Sequence, residues 1–515
     1  MTFFDTSAPL LPEILSLHGK WKGNKTALIF GEERISWKEL DEATNQIANG
    51  LIENGVSTGD MVGVVMKNGR QMVETLIGIM KSGAASVPIN LSVSDDAMMA
   101  MLDDAAVSAV IVTVEQSSRL ISYDGSKLKL APIIAAGASS DDFETFKGKY
   151  QPTKPTAPIA DDSPLNVIYS SGTTGTPKGI LHTHKGRRDW AYDLSIALRY
   201  DGSAKTLFTI GLYSNISWVG FLSTLLVGGT LVIHEAFDTQ HALETIEAES
   251  ITNFSMVPIQ YQRLLEDADN EQYDLSSLKA VMSCGSPLHS DLREKLFNRL
   301  GPVVIELFGL TEGVITTLEP EEAQGRMASA GKPLVGTDLM IINEEGTEVA
   351  AGISGEVVAC GRVVMPGYLN RPDATKEAVY TDSNGKNWIR TGDIGKLDEE
   401  GYLFIVDRKK DMILSGGQNI YPQDIEAVLV SHPSINEAAV IGAKSTTWGE
   451  TPFAIIAAEA GRTLDVRDIK TWANSKLGKQ QRIAGLTIIE QLPRNPNGKI
   501  LKKDLRKTFE DVEFD

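Results

Sequence analysis

The sequence predicts an α/β fold, because strand-like and helix-like segments alternate along much of its 515 residues. Residues 61–66 and 85–89 are short apolar runs typical of strands, and residues 71–80 between them carry apolar side chains at helical spacing. This βαβ pattern favours a largely parallel sheet covered by helices. The chain is longer than one hydrophobic core usually supports, so we expect two or three domains.

The N-terminal α/β region can be followed element by element. A helix is predicted to begin at the capping-box sequence Ser-Trp-Lys-Glu of residues 36–39, because apolar residues at helical spacing follow it: Leu40, Ala43, Ile47 and Leu51. Residues 109–112 and 131–134 are further strand-like runs. Residues 137–164 are rich in Ser, Asp, Lys, Pro and Ala and are predicted to form a surface connection. A second α/β unit is expected from about residue 206 to residue 318.

The C-terminal third of the chain changes character. Residues 333–404 contain short strands with Gly, Asn and Asp turns, which predicts a small β-rich subdomain. From residue 411 onward, helical patterns at 422–431 and 466–477 alternate with strand-like runs, which predicts a compact α+β unit. The acidic residues 509–515 are expected to be a frayed tail. We therefore predict an N-terminal domain at 1–406, a connection at 407–410 and a C-terminal domain at 411–515.

Composition excludes several classes of function. The formal net charge of −19 disfavours nucleic acid or an anionic membrane as a partner. No run of eighteen apolar residues occurs, so no transmembrane helix is predicted. The first residues lack a basic segment followed by an apolar one, which argues against a secretory signal and for a cytoplasmic location. Two cysteines, Cys284 and Cys360, fit a reducing compartment and rule out a cysteine-rich metal site.

Residues 169–179 form the most informative segment, which reads Tyr-Ser-Ser-Gly-Thr-Thr-Gly-Thr-Pro-Lys-Gly. Glycines let a backbone close around phosphate oxygens, while hydroxyl groups, backbone N–H groups and a lysine supply donors and charge. The Walker A motif is excluded, because Pro177 precedes Lys178 and Gly179 follows it. A flexible polar loop is the alternative. The candidate phosphate-binding residues are Ser170, Ser171, Gly172, Thr173, Thr174 and Lys178.

Four further motifs follow in the chain. They are Glu-Leu-Phe-Gly-Leu-Thr-Glu at 306–312, Thr-Gly-Asp at 391–393, Asp-Arg-Lys-Lys-Asp at 407–411 and Pro-Arg-Asn-Pro-Asn-Gly-Lys at 493–499. Together with the phosphate loop, in this order from about residue 26 to residue 502, they resemble the adenylate-forming superfamily. That superfamily includes acyl-CoA synthetases, 4-coumarate-CoA ligases, luciferases and the adenylation domains of peptide synthetases.

The resemblance implies an ATP-dependent acid:CoA ligase that forms an acyl-adenylate and then an acyl-CoA thioester, releasing pyrophosphate and AMP. It implies ATP, Mg²⁺ and coenzyme A, and a mobile C-terminal lid. The alternative is a free-standing adenylating enzyme that loads a carrier protein. A nucleotide-binding homologue without catalysis is a third reading, disfavoured because Lys178, Glu312, Asp393 and Lys499 are all present.

The resemblance also assigns roles to motif residues. The phosphate loop would hold the β- and γ-phosphates, and Thr311 would donate to the α-phosphate. Phe308 stands where the family usually has Tyr and would stack on adenine. Glu312 would ligate Mg²⁺, which prefers carboxylate and phosphate oxygens. The remaining nucleotide-binding positions of this motif are Glu306, Leu307 and Gly309.

The C-terminal motifs would serve both halves of the reaction. The resemblance assigns Asp393, with Arg408, to the ribose hydroxyls. Lys499 would reach the α-phosphate and the substrate carboxylate during adenylation. Lys410 would be the hinge about which the lid rotates. After rotation Gly416 and Gly417 would line the tunnel for the pantetheine arm of CoA, although an ordinary turn explains these glycines equally well.

The acyl pocket departs from the family pattern. Where relatives often carry a Phe-His pair, residues 211–218 read Gly-Leu-Tyr-Ser-Asn-Ile-Ser-Trp, with Tyr213 nearest the place of the histidine. Asn215 and Trp218 together suggest an acid with an apolar or ring-bearing body and at least one polar group, but Trp218 fits core packing equally well. The predicted partners are a small carboxylic acid, ATP and CoA, with a second copy of the chain as a candidate. The predicted pocket residues are Tyr213, Asn215, Trp218, Val219, Gly285 and Leu310.

Overall fold

The computed structural model describes residues 8–130, 132–135, 142–170, 178–267, 270–416, 418–459, 461–462, 464–479, 481–495 and 499–515. The chain divides into two compact units. The first runs to Met327 and adds Pro333–Asp338 and Cys360–Val379. The second comprises Ala328–Lys332, Leu339–Ala359 and Tyr380–Asp515.

The strands, in chain order, are β1 (Thr26–Phe30), β2 (Glu33–Ser36), β3 (Met61–Val65), β4 (Ala85–Pro88), β5 (Ala109–Thr113), β6 (Ile133–Ala135), β7 (Pro164–Ser170), β8 (Lys178–Thr183), β9 (Lys205–Phe208), β10 (Thr230–Ile233), β11 (Asn253–Met256), β12 (Ala280–Ser283), β13 (Val304–Gly309), β14 (Ile315–Leu318), β15 (Lys332–Pro333), β16 (Thr337–Ile342), β17 (Gly355–Gly361), β18 (Gly367–Tyr368), β19 (Val379–Thr381), β20 (Asn387–Leu397), β21 (Leu403–Arg408), β22 (Ile413–Ser415), β23 (Gln418–Ile420), β24 (Ile435–Ser445), β25 (Gly449–Ala458), β26 (Gly485–Ile489) and β27 (Glu513–Phe514).

The α-helices are α1 (Leu11–Trp21), α2 (Trp37–Glu53), α3 (Arg70–Ser82), α4 (Asp95–Asp104), α5 (Asp142–Gly148), α6 (His184–Ala197), α7 (Asn215–Val227), α8 (Thr239–Glu249), α9 (Pro258–Glu266), α10 (Ser290–Leu300), α11 (Pro372–Glu377), α12 (Pro422–Val430), α13 (Val466–Lys476) and α14 (Lys502–Thr508). In the described part of the chain, no helix combines the length and the apolar character needed to span a bilayer.

Two mostly parallel sheets form the first unit, which confirms the predicted α/β class. One has the order β15-β14-β13-β12-β11-β9-β10-β1-β2, with parallel pairing from β13 to β1 and antiparallel strands β14 and β2 beside them. The other has the order β18-β8-β7-β4-β3-β5-β6, parallel from β7 to β6. One apolar core joins the two sheets, with Leu28 of β1 and Val62 of β3 both fully buried in it.

Local sequence signals set several of these elements. The predicted capping box is confirmed at the start of α2, where the Ser36 N–H donates to the Glu39 carboxylate at 2.8 Å and the Ser36 side chain accepts from the Glu39 N–H. Strands β7 and β8 pair antiparallel, with Ser170 opposite Lys178. The predicted phosphate loop therefore connects two paired strands, although its residues 171–177 lie outside the described part.

The predicted surface connection at 137–164 contains a helix, α5, which the composition of the segment did not predict. Phe143 of this helix is fully buried, and Phe146 packs against α2 so closely that a Cβ at Gly50 would lie 2.6 Å from the Phe146 ring. The two phenylalanines are three residues apart and share a helix face, so their burial outweighs the polar composition around them.

The second unit contains two sheets. The predicted β-rich subdomain is the sheet β16-β17-β20-β19, with β21 beside β20. The other sheet has the order β23-β22-β25-β24-β27 with β26 beside β25, and α12 and α13 contribute to its apolar core. The predicted connection at 407–410 comprises the last two residues of β21 and the first two of the turn that leads to β22, inside this unit. A domain division at these residues stays a prediction.

The prediction of a frayed tail at 509–515 is wrong. Strand β27 pairs parallel with β24, and the Phe514 ring lies 5.9 Å from the Phe453 ring, centroid to centroid. A Cβ atom at Gly485 would lie 2.3 Å from the Phe514 ring, so this ring packs directly against the backbone of Gly485. Burial of its apolar area explains why the acidic segment is ordered.

Candidate active site

A tyrosine that the sequence did not reveal connects two predicted site residues of the first unit. The Tyr368 hydroxyl donates to the Glu312 Oε1 at 2.9 Å, and the Lys178 Nζ lies 5.0 Å from the centroid of the Tyr368 ring. Burial, followed by the Glu312 charge, raises the pKa of Tyr368, so this hydroxyl stays protonated. The structure thus brings the lysine of the phosphate loop and the predicted metal ligand together around one ring.

Thr311 and Glu312 lie in the turn between β13 and β14. The Leu310 N–H donates to the Val314 carbonyl at 2.9 Å, and the Gly313 N–H donates to the Leu310 carbonyl at 3.0 Å. Gly313 has φ of 103°, and a Cβ there would lie 2.1 Å from the Val363 carbonyl oxygen, so only glycine fits. A tight hairpin therefore fixes the backbone that carries the predicted α-phosphate and metal ligands.

The other residues of this motif lie on β13. Phe308 and Gly309 pair with β14 and are half-buried, while Leu307 is buried. The Glu306 carboxylate forms an ion pair with Arg293 and accepts from the Leu288 N–H at 3.1 Å. Its charge is thus engaged within the protein, and a nucleotide contact by Glu306 stays a prediction.

Asp393 and Arg408 form a cross-strand ion pair in the second unit. The Arg408 Nε lies 2.6 Å from the Asp393 Oδ1, and the two residues are direct partners in the β20–β21 register. Residues 391–393 lie inside β20. Gly392, with φ of 69°, lets the strand deform at this point.

Lys499 lies close to this ion pair. Its N–H donates to the Asn495 Oδ1 at 2.8 Å, and the Asn495 N–H donates to the Lys499 carbonyl at 2.9 Å. The predicted turn residues Asn497 and Gly498 lie outside the described part. Partial removal from water and the positive charge of Arg408 lower the pKa of the Lys499 ammonium to about 8, against the opposing effect of Asp393. Asp393, Arg408 and Lys499 are therefore electrostatic neighbours.

The predicted hinge, Lys410, is an exposed residue in the turn after β21. The Asp411 N–H donates to the Arg408 carbonyl at 2.9 Å. On one side of the turn, the Asp407 Oδ2 accepts from the Gln423 N–H at 3.0 Å at the start of α12. On the other side, Asp411 pairs with Arg506 of α14 at 2.7 Å.

Gly416 is exposed and has φ of 57°. Its N–H donates to the Trp448 carbonyl at 2.9 Å, and a Cβ at Gly416 would lie 2.7 Å from the Trp448 ring. The positive φ and the Trp448 ring therefore explain the glycine at position 416 without a bound ligand. Gly417 lies outside the described residues, and CoA binding by either glycine stays a prediction.

The predicted acyl-pocket residues cluster at the start of α7. Tyr213 and Asn215 are half-buried, and Val219 is buried. Trp218 is 0% exposed, its Nε1 donates to the Leu212 carbonyl at 2.8 Å, and its ring packs edge-on against Phe221. Trp218 thus belongs to the apolar core. Two predicted residues lie outside α7: Gly285, exposed after β12, and Leu310, in the β13–β14 turn.

Comparison with known proteins decides the family. Residues 18–369 match the AMP-binding enzyme family, and residues 424–499 match the AMP-binding enzyme C-terminal domain. The chain belongs to the AMP-binding enzyme family.

Relatives of this AMP-binding enzyme align along nearly its whole length. It is 31% identical to a feruloyl-CoA synthase from Amycolatopsis sp, over 94% of this chain and 96% of that protein. It is 31% identical to a 2-succinylbenzoate–CoA ligase from Bacillus cereus, over 95% and 96% of the two chains. A solved o-succinylbenzoate CoA synthetase from Bacillus subtilis, in complex with its acyl-adenylate intermediate, has a TM-score of 0.85, 26% identity, and coverage of 96% and 98%.

These findings confirm the predicted superfamily, the two-domain α/β fold and the reaction class. The AMP-binding enzyme is an acid–CoA ligase that uses ATP and CoA. The carrier-protein alternative gains no support from the relatives. The roles of individual residues stay predictions.

Trp218→Ala is expected to destabilise the AMP-binding enzyme strongly. Removal of a fully buried indole leaves a cavity and an unmatched Leu212 carbonyl, so we expect a loss of ~3–5 kcal/mol in the free energy of unfolding. Thermal and denaturant unfolding would measure it, with Trp21→Ala as control because Trp21 is 73% exposed. Near-normal stability together with a broadened choice of acids would instead place Trp218 in the acyl pocket.

Proposed function

We propose that this enzyme joins a small carboxylic acid to CoA in two half-reactions, with Lys499 acting in the first. The observation that carries the proposal is the electrostatic coupling of Lys499 to Asp393 and Arg408, although both lie more than ninety residues earlier in the sequence. A lysine ammonium is a mobile point charge, and such a charge suits a contact that is made for one step and then withdrawn.

In this proposal residues of the phosphate loop and of the β13–β14 turn supply the phosphate-binding groups. The Lys178 ammonium would neutralise charge on the β- and γ-phosphates, and the Thr311 hydroxyl would donate to the α-phosphate. Tyr368 would fix both Glu312, through its hydroxyl, and Lys178, through its ring. Phe308 offers an aromatic face to adenine, which needs no hydroxyl group.

Glu312 is a suitable Mg²⁺ ligand. Tyr368, a neutral donor, occupies its Oε1, so the negative charge of the carboxylate is not cancelled by this contact. Mg²⁺ is commonly bound by one or two carboxylates together with substrate phosphates, and a single glutamate fits that pattern. The ion would offset phosphate charge during the attack on the α-phosphorus.

Asp393 and Lys499 are proposed for the ribose and carboxylate contacts. Asp393 is 1% exposed and its Oδ1 is held by Arg408, so its orientation is set before any ligand binds. It would accept hydrogen bonds from the ribose hydroxyls. Lys499 would then bridge the α-phosphate and the acid, two anions that repel each other when they approach.

A pyrophosphate-release assay over a panel of carboxylic acids tests the proposed function. With ATP and Mg²⁺ present, at least one acid should release pyrophosphate without CoA, and the addition of CoA should give AMP and the acyl-CoA thioester. Strict dependence on a carrier protein, with CoA inactive, would contradict the choice of acceptor. The homodimer and the cytoplasmic location stay predictions.

The rate of adenylation is expected to fall as pH rises through about 8. Lys499 has a lowered pKa of about 8 and is charged below it, so kcat/KM for adenylation should be highest below that pH and decline above it. Bound ATP favours the charged form, so the decline in kcat should lie at higher pH. Lys499→Arg should remove the decline, because arginine stays protonated. A flat kcat/KM between pH 7 and pH 9.5 would contradict this role.

A further inference from the structure

A buried positive charge lies next to the predicted acyl pocket, within the first unit. Arg187 of α6 is 1% exposed. Its Nε donates to the Asn166 Oδ1 at 2.9 Å, and its Nη2 donates to the Asn215 Oδ1 at 2.8 Å. Across the described ranges, no carboxylate forms an ion pair with Arg187, and burial lowers its pKa to about 9. The guanidinium is thus charged at neutral pH, and the hydrogen-bond acceptors that it meets in the described residues are two neutral amide oxygens.

Two indole rings complete the surroundings of Arg187. Its Cζ lies 4.6 Å from the centroid of the Trp190 ring and 5.5 Å from that of Trp218. Cation–π contacts and neutral acceptors offset only part of the cost of removing a full charge from water. An anion that arrived with a ligand would offset more of it.

Arg187 determines the orientation of the side-chain amides of Asn166 and Asn215. A guanidinium can only donate, so the atoms of Asn166 and Asn215 that face it must be oxygens. Both amide NH₂ groups therefore point away from Arg187. Among the described residues, neither the buried Asn166 Nδ2 nor the buried Nε2 of His182, its partner in the β7–β8 register, has a hydrogen-bond partner. Buried polar groups are normally satisfied by protein, ordered water or a ligand, so the Asn166 amide NH₂ has a hydrogen bond to offer to a molecule that enters here.

Asn215 connects this polar cluster to the predicted pocket. It is half-buried at the first position of α7, whereas Asn166 and Arg187 lie fully inside. With its Oδ1 held by Arg187, the Asn215 amide can offer only its NH₂ group to a ligand. The charge of Arg187 directly behind this amide makes an anionic acceptor the preferred one.

We propose that Arg187 is a positioning residue for acyl selection, and that the preferred acid carries a second carboxylate, which is recognised by the Asn215 amide NH₂ with the Arg187 charge behind it. This inference rests on the proposed function and on the predicted place of Asn215 in the acyl pocket. The reacting carboxylate would keep its role in adenylation, so the two carboxylates of the acid have separate roles.

Matched pairs of acids test the inference. Each pair contains a dicarboxylic acid and its monomethyl ester, over aliphatic and aromatic skeletons of several lengths, with pyrophosphate release as the readout. The wild-type enzyme should prefer a dicarboxylic acid by about 10–100-fold in kcat/KM, the range for a hydrogen bond to a charged group. Arg187→Met keeps an apolar chain between the two indoles and should remove this preference by raising KM for the diacid, with KM for ATP unchanged. Arg187→Lys should retain part of it.

Arg188→Met is the matched control, because Arg188 is the adjacent buried arginine of α6 and pairs with Asp189 at 2.9 Å. It should leave the diacid preference intact even if it lowers the melting temperature. If the wild-type enzyme did not prefer dicarboxylic acids over their monomethyl esters, that result alone would overturn the inference. Equal losses for both members of a pair in Arg187→Met would also overturn it, because they would show a purely structural arginine. Failure of every acid to release pyrophosphate would instead contradict the proposed function itself.

Discussion

Lys499→Ala is expected to lower the rate of acyl-adenylate formation by about 10²–10³-fold, the usual cost of losing one charge-stabilising donor. The same variant should convert pre-formed acyl-adenylate and CoA to the thioester at close to the normal rate. The reason is that Lys499 adjoins Asp393 and Arg408, the predicted nucleotide contacts, and would be withdrawn from them in the second half-reaction. Single-turnover assays of each half-reaction measure the two effects separately.

Lys503→Ala is a matched control for this experiment. Lys503 is an exposed lysine four residues further along the same segment, at the start of α14. Its removal lowers the positive charge of the segment by the same amount and should leave both half-reactions unchanged. Equal losses in both half-reactions for Lys499→Ala would argue against a role confined to adenylation, and against lid rotation.

Lys410→Pro is expected to have the opposite effect, with adenylation preserved and thioester formation reduced to a small fraction of normal. Proline fixes φ, so it blocks the backbone change that a hinge must absorb. Lys410 is exposed in the turn between β21 and β22, where a proline meets little steric resistance from packed side chains. The measurement is thioester formation from pre-formed acyl-adenylate and CoA.

A hydrogen bond near Lys410 gives a further reason for this expectation. The Asp407 carboxylate holds the first turn of α12 through Gln423, so rotation of the following residues has to break this hydrogen bond. Lys410→Ala keeps the backbone free and should support both half-reactions, which makes it the matched control. Normal thioester formation by the proline variant would place the hinge elsewhere.

The motif residues could be predicted because their signals are local. The capping box at Ser36 and Glu39 forms within one turn of helix, and the candidate phosphate-binding residues lie within one continuous segment of the sequence. The Thr311–Glu312 turn likewise depends on Gly313, two residues or fewer away. In segments of this kind the local sequence determines the local conformation.

Residues whose roles depend on tertiary contacts could not be predicted. Tyr368 meets Glu312 from 56 positions away, and Arg187 meets Asn166 from 21 positions away, so neither contact leaves a pattern in the sequence. For Phe514 the prediction from the sequence is wrong. Its acidic neighbours suggested a frayed terminus, whereas its ring packs against Phe453. The sequence did not show whether Trp218 lines the acyl pocket or packs in the apolar core, and its complete burial favours the core.

The most direct test of the account is to follow the adenine nucleotide in a single turnover without CoA. With ATP labelled at the α-phosphate, the enzyme and a substrate acid should accumulate a labelled acyl-adenylate with release of one pyrophosphate. Addition of CoA should then convert all the label to AMP as the thioester appears. Label in ADP, or the absence of any nucleotide change until CoA is added, would contradict the two half-reactions on which every assignment above depends.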